Sequence, residues 1–256
     1  MIELSPEQIA TLRPWFQPER INGLLGPHVI ATGNGACLAD RWPDPRAILI
    51  NSSANFMLAG DPAALAPPAL QGRITGFVNA PPEFAPLLRQ TFGQVAVWPR
   101  IIFTLDGSPR AAAAGPEIRR LSHVDDAALG HLEADVSWIS STWGGPAGLA
   151  ASGYAWGAWV AGELAAVAVA FYVGDHAEEI GVVTRAAFRG QGLSGGCAAA
   201  LCQDIHARGR RAVWSTSPDN GASIRVAEKL GFTLEHQDQL YAIGMAIPAP
   251  AQRPDA

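Results

Sequence analysis

The chain has 256 residues, 48% of them hydrophobic, and a formal net charge of −5 at pH 7, so it can bury one large core or two smaller ones. Its pI near 5.6 and its scattered basic residues, clustered only at Arg208–Arg211, argue against nucleic acid, whose phosphate backbone draws on clustered Lys and Arg. Cys37, Cys197 and Cys202 are odd in number with no CxxC spacing, which points to reduced, mostly buried thiols and a cytoplasmic setting.

At the N-terminus, MIELSPEQIATLRPWF has an acidic residue and prolines where a secretory leader needs basic residues and an apolar run, so export is not expected. Ser5-Pro6-Glu7-Gln8 has the form of a capping box with proline in the first turn and predicts a helix into IATLRPWF. Strands are predicted at HVIAT (28–32), ACLAD (36–40), RAILIN (46–51) and NFMLAG (55–60), with a turn at Gly33-Asn34-Gly35. PPEFAPLLRQTF (81–92) predicts a helix and VAVWPRIIFTL (95–105) a strand. These elements make a small α/β region without a recognisable catalytic motif.

The small-residue segment RAAAAGPEI, Arg110 to Ile118, breaks at Gly-Pro and sets the expected division: a domain at 1–112, a second at 116–247 and a flexible Pro/Ala tail at 248–256. Beyond it, EIRRL (117–121) predicts a strand and residues 123–143 an interrupted helix. YAWGAWVAGELAAVAVAFYVG (154–174) predicts a hairpin turning at Ala161-Gly162-Glu163. Its most apolar part, Ala155 to Val173, is broken by Glu163 and glycines and is rich in strand-forming residues, so it reads as sheet core and not as a membrane span. A strand at EEIGVVT (178–184) follows, then a glycine loop, a helix from Ser194 to Ala207, a strand at AVWSTS (212–217), a helix at ASIRVAEKLG (222–231) and two closing strands in FTLEHQ (232–237) and QLYAIGM (239–245). No repeat of fixed period is visible.

The loop Arg189-Gly190-Gln191-Gly192-Leu193-Ser194-Gly195 lies between a strand and a helix start. Amide N–H groups there lack intrahelical partners, the helix dipole reinforces their attraction for an anion, and Arg189 can add a charge-assisted contact. A diphosphate suits such a cradle, although the same loop could simply cap its helix. It also spells GxGxxG, the dinucleotide fingerprint, which is weak evidence alone. Against a nicotinamide cofactor, five residues (185–189) separate the strand from the first glycine, and AVWSTS does not end in the acidic residue that would hold a ribose. An NADP-dependent oxidoreductase is thus a remote alternative.

Downstream, Asn220, Ala222, Ser223, Glu228, Lys229, Leu230, Gly231 and Phe232 form a second block. Together with Arg189, Gly190, Gln191 and Gly192 it resembles the GNAT superfamily of acyl-CoA-dependent N-acetyltransferases over residues 117–245, in a subgroup with an extra N-terminal domain. The resemblance implies a mixed, mostly antiparallel sheet flanked by helices, preceded by a smaller α/β domain. It implies acetyl-CoA or another acyl-CoA as co-substrate, no metal, and direct attack by an amine of a small molecule or peptide in a ternary complex. By the same resemblance Val182, Val183 and Thr184 bond the pantetheine arm as an added strand would. Gly190, Gln191, Gly192, Leu193, Ser194 and Gly195 hold the pyrophosphate, and Asn220 and Ser223 belong to the site near the pantetheine. Ser194 replaces the last small residue of the loop pattern, and Ala227 stands where many members carry a tyrosine acid. The latter leaves open an acyl-CoA-binding module without efficient turnover.

Acylation of an amine requires a base for its proton and an acid or solvent for the leaving thiolate. Glu178 and Glu179 start the strand that would flank the thioester, and strand alternation lets one of them face the cleft. Glu179 is the candidate base and Tyr241 the candidate acid; solvated strand-end charges and a packed tyrosine are the plain alternatives. The six histidines form no ligand-spaced cluster. His176 and His236 are read as surface residues, and Cys197 and Cys202 as packed groups on the helix after the loop. Among Trp138, Trp143, Trp156 and Trp159, core packing is expected for most and an acceptor-pocket wall for one or two. For the first 110 residues a degenerate copy of the same fold, a pocket lid and an oligomer interface, simplest as a homodimer, stay open.

Overall fold

The computed structural model describes residues 1–110 and 117–248. Most of the segment expected to divide the chain, and the tail from 249, lie outside the described residues. The chain forms two compact units, one of Met1–Arg100 with Asp238–Ile247 and one containing Ile101–Gln237.

The first unit starts with β1 (Ile2–Glu3) and α1 (Pro6–Ala10), whose capping box joins Ser5 and Gln8 reciprocally, then a 3-10 turn at Arg13–Phe16. The residues HVIAT belong to α2 (Leu25–Thr32) and not to a strand. Val29 and Ile30 favour strands only weakly by themselves. Here burial of Leu24, Leu25 and Val29 selects the helix, Pro27 falls in its first turn where no N–H is needed, and Gly33 closes it in the left-handed region at φ 72°. Then come β2 (Ala36–Ala39), β3 (Ala47–Ser52), β4 (Asn55–Gly60), α3 (Pro67–Leu70), β5 (Gly76–Asn79) and α4 (Ala85–Phe92). The short β5 was not anticipated, because GFVN offers four residues with little alternation. Leu49, Leu58, Leu70, Phe84 and Leu88 lie at the centre of this unit's core.

β6 (Ala96–Leu105) carries the chain from one unit into the other. In the second unit β7 (Glu117–Arg120) comes first, the interrupted helix expected over 123–143 resolves into α5 (Asp126–Gly130) and a 3-10 stretch at Ser137–Trp143, and a further helix, α6 (Pro146–Ser152), follows it. β8 (Ala155–Val160) and β9 (Glu163–Val173) form the expected hairpin, with Ala161 and Gly162 both at positive φ, 50° and 84°. β10 (Ala177–Thr184), α7 (Leu193–Ala207), β11 (Arg211–Thr216) and α8 (Gly221–Leu230) follow. The chain closes with a single strand, β12 (Thr233–Ile243), where two were expected. No glycine, proline or other turn signal separates the two halves, so the extended backbone continues across Gln237-Asp238-Gln239.

The units repeat one connectivity. In the first, β1, β2, β3 and β4 pair antiparallel in order, β4 pairs parallel with β5, and β5 pairs antiparallel with the end of β12. In the second, β7, β8, β9 and β10 pair antiparallel in order, β10 pairs parallel with β11, and β11 pairs antiparallel with the end of β6. Each is a mixed, mostly antiparallel sheet flanked by helices. A dinucleotide fold needs a doubly wound, mainly parallel sheet, and one parallel pair per unit does not provide it.

Candidate active site

β10 is the only strand of the second unit's described sheet that is buried along its whole length. Its ladder with β11 runs from Ala177↔Arg211 to Ile180↔Trp214, and among the described residues it goes no further. Past that rung β10 stays paired to β9 through Thr184↔Ala166, and β11 to β6 through Thr216↔Ile101. The facing edges of Gly181–Thr184 and of Ser215–Thr216 therefore carry backbone N–H and C=O groups with no ladder between them. An extended polar chain inserted there would find the hydrogen bonds a strand finds. A bulge between Glu179 and Ile180 lies just before the strands part, as bulges beside functional sites re-aim side chains.

At the far end of β10 stands the glycine loop. Gly190 and Gly192 both have φ 76°, where a side chain would be strained although a Cβ would touch nothing. Gly192 caps the 15-residue α7 without any side-chain hydrogen bond, and no acidic residue occupies the first turn. The amides of Leu193, Ser194 and Gly195 thus point out of a helix N-terminus toward whatever the loop encloses. Arg189 lies beside it: its Nε donates to the Thr184 carbonyl at 3.4 Å, and its guanidinium is 3.4 Å from Asp135. Leu193 and Ser194 are themselves buried, so their side chains anchor the helix while their amides face out. Gln191 is exposed on the loop.

Asn220 and Ser223 organise the second block. Asn220 Oδ1 accepts from the Ser223 amide at 3.2 Å as the cap of α8, and Ser223 Oγ accepts from Trp214 Nε1 at 2.9 Å. These bonds fix α8 against β11 just where β10 departs. Ala227 is fully buried in the core formed by α7, α8 and the sheet, and has no group to offer a substrate.

The two adjacent glutamates have different surroundings. Glu178 is completely buried and held by Arg208 at 2.8 and 2.7 Å and by Arg210 at 2.9 Å. This gives the short basic cluster a structural use, completed by Arg211, which pairs with Asp106 and Glu235. Glu179, 8% exposed, is paired in register with Val213 and Tyr172. Its side chain takes the sheet face opposite Ile180 and Trp214, which point into the core under α7. On that same face a Cβ at Gly181 would lie 3.3 Å from Trp138, so the missing side chain lets the indole close over β10. Trp138 meets Phe171 edge-on at 5.3 Å. Trp143 donates to the Ala170 carbonyl and stacks on Tyr154, Trp156 donates to Asp204, and Trp159 lies under Arg119.

Tyr241 belongs to the first unit, where it is buried in the core with Val78 as its strand partner and accepts from Gln239 Nε2 at 3.0 Å. The structure therefore brings together Glu179, Val182, Val183, Thr184, the loop residues, Asn220 and Ser223 in the second unit, and Tyr241 in the other. All three cysteines are buried, and burial pushes each thiol up to about 12. His176 is exposed and His236 half-buried. Among the described residues no group of three His, Cys, Asp or Glu side chains is placed to hold a metal, and no helix is long and apolar enough to cross a membrane. Neither the use of Gly181 nor the pairing of Arg208 and Arg210 with Glu178 is legible in the sequence, because each depends on what lies across the sheet, which no local pattern records.

Residues 24–241 match the GNAT acetyltransferase family. An uncharacterised N-acetyltransferase from the mutA 5' region of Streptomyces virginiae is 38% identical over 216 residues, covering 81% of this chain and 90% of the relative. In fold the chain is similar to a GCN5-related N-acetyltransferase-like protein of Streptococcus suis, with TM-score 0.70 at 19% identity, covering 93% of this chain and 98% of the other. It is also similar to a tandem GNAT protein of the clavulanic acid biosynthesis pathway, with TM-score 0.58 at 12% identity, covering 96% and 99%. By sequence match over most of its length, and with a fold that agrees, the chain belongs to the GNAT acetyltransferase family and is an N-acetyltransferase.

Proposed function

We propose that the chain transfers an acetyl or related acyl group from acyl-CoA to an amine by direct attack in a ternary complex. The observation that carries this reading is the parting of β10 and β11 in line with an uncapped helix N-terminus. The gap suits an amide-bearing pantetheine arm bonded by Val182, Val183 and Thr184. The amides of residues 190–195, with Arg189, suit its pyrophosphate, and Asn220 and Ser223 shape the wall of the gap. When bound, the thioester supplies an activated acyl carbon. The chain's own residues then orient it, exclude water and take the proton from the amine, for which Glu179 is the proposed base, directly or through water. Trp138 is the proposed wall for a small-molecule or peptide acceptor.

Isothermal titration tests the donor. Acetyl-CoA is expected to bind in the micromolar range while NADPH fluorescence stays unchanged; absence of acetyl-CoA binding would overturn the reading. Buried Ala227 favours one competitor, an acyl-CoA-binding module without efficient turnover, which acceptor-dependent thiol release with an amine panel would reject. The first unit is proposed to be a degenerate copy of the same fold. Its support is the repeated connectivity and the likeness over 96% of this chain to a tandem GNAT protein. The buried thiols suit a reducing compartment such as the cytoplasm.

A further inference from the structure

We propose that Ser215 donates a hydrogen bond to the departing sulfur of the thioester, a role for which Ala227 has no group to offer; the proposal rests on the acyl-CoA reading above. Among the described residues, two buried side-chain hydroxyls have no hydrogen-bond partner, Thr184 Oγ1 and Ser215 Oγ. Both lie on the two strands that part, and both lie past the last rung, Ile180↔Trp214. Buried polar groups are almost always satisfied, so an orphan requires an explanation. Here the two strands also leave their facing backbone edges without a ladder, so an extended polar ligand between them would satisfy the backbone and would be flanked by Thr184 on the face of Ile180 and Val182 and by Ser215 on the opposite face.

The two hydroxyls mark opposite ends of that gap. Thr184 ends β10, beside the loop proposed for the pyrophosphate, and Arg189 reaches back to its carbonyl. Ser215 is one residue past the rung where the strands still meet. Thr184 is four residue steps along the strand from Ile180, roughly 13 Å at 3.3 Å per residue, which is comparable with an extended pantetheine arm. A chain anchored by its pyrophosphate at the loop would therefore bring its sulfur to the closed end, beside Ser215. The register adds a second constraint. Glu179 pairs with Val213, so Glu179, Val213 and Ser215 share one face of the sheet, and base and hydrogen-bond donor approach the reacting carbon from the same side. Ala227 is buried with Trp214 and Ile180 on the other face, so the replacement comes from the strand and not from α8.

In the step, the amine nitrogen forms the new C–N bond as the C–S bond breaks, and the amine proton passes to Glu179, directly or through water. The electron pair of the broken bond leaves on sulfur, where Ser215 Oγ–H donates to the growing charge. A serine hydroxyl is too weak an acid to give up its proton there, so Ser215 keeps it and solvent protonates the released thiolate. The contribution is electrostatic, of the kind that oxyanion donors make.

Wild-type protein, Ser215→Ala and Ser215→Thr are titrated with coenzyme A and with desulfo-coenzyme A, which lacks the sulfur, and the thiol pKa of bound coenzyme A is followed by thiolate absorbance. Ser215→Ala is expected to bind coenzyme A thiolate about tenfold more weakly, as a lost charge-assisted hydrogen bond requires, and to raise the bound thiol pKa by about one unit. Its affinity for desulfo-coenzyme A should be unchanged, and Ser215→Thr should restore the wild-type values. With an acceptor in hand, kcat should fall by about the same factor while KM for acetyl-CoA holds. Equal losses for both ligands would make Ser215 a packing residue and overturn the proposal, as would no loss for either. Wild-type binding of both ligands in either of those cases leaves the acyl-CoA reading standing; wild-type binding of neither overturns both.

Discussion

The two units share a connectivity and differ in the crossover between their parallel strands. In the second, β10 leads through a glycine loop into a 15-residue helix with an uncapped N-terminus. In the first, β4 leads into Asp61, whose carboxylate accepts from the Ala63 amide and pairs with Arg46, and then into a proline-rich stretch whose helix α3 has only 4 residues. Asp61 caps only the 3-10 turn at Pro62–Ala64; α3 itself opens on Pro67 and Pro68, which have no N–H, where the helix of the other unit opens on Leu193, Ser194 and Gly195 with their amides free of a side-chain cap. The difference teaches that the strand arrangement is a scaffold, and that the crossover decides whether a helix long enough to matter presents its first amides at the end of the strand.

The largest test of this contrast is chemical. Glu179→Gln in the second unit should lower kcat by about a hundredfold or more, the usual weight of a general base, with acetyl-CoA affinity unchanged by titration. Tyr241→Phe in the first unit's core should change kcat less than about twofold. The reverse ranking would move the chemistry away from β10. Next is the buried charge. Glu178→Ala leaves Arg208 and Arg210 without their carboxylate and should destabilise the protein by about 3–5 kcal/mol in urea unfolding. Breaking the exposed Arg46–Asp61 pair with Asp61→Asn should cost about 1 kcal/mol or less.

A matched pair of glycines separates strain from binding. Gly192 and Gly72 have φ 76° and 71°, and a Cβ at either would meet nothing, so a change to Val should cost about 1–2 kcal/mol of stability at each. Acetyl-CoA affinity should fall about tenfold for Gly192→Val and not at all for Gly72→Val; equal effects would show that the loop does not hold the donor. A smaller effect concerns acid. Two hydrogen bonds from Arg119, at 2.7 and 2.9 Å, and one from the Ser122 amide hold Asp125 below the usual carboxylate range although burial works the other way. Its folded pKa is depressed, so its stabilisation is present above the unfolded value of about 3.9 and is lost as pH falls through the folded value. Asp125→Asn should flatten that part of the stability profile in acid unfolding. Smallest of all, Cys37 in one unit and Cys197 and Cys202 in the other should resist a thiol reagent at neutral pH until the protein unfolds.

Local signals carried much of this. The capping box at Ser5, the hairpin at Ala161-Gly162, the loop at Gly190 and Gly192 and the block from Asn220 to Phe232 each depend on neighbours in sequence, so a pattern of residue types suffices to reveal them. Where burial outweighed intrinsic preference, the pattern misled: HVIAT looked like a strand and folded as part of α2, and β12 looked like two strands and ran as one.

By itself, then, the sequence determined the family, the order of most elements and the position of the glycine loop, because turn chemistry, glycine conformation and hydrophobic period are local. The tertiary structure alone decided that the chain repeats one connectivity without repeating one sequence. It also decided that Glu178 is buried beneath two arginines while its neighbour faces the opposite side, and that Ser215 comes to the closed end of the gap. Those facts follow from which strands pair and where they stop pairing, and long-range register leaves no mark on the residues that obey it.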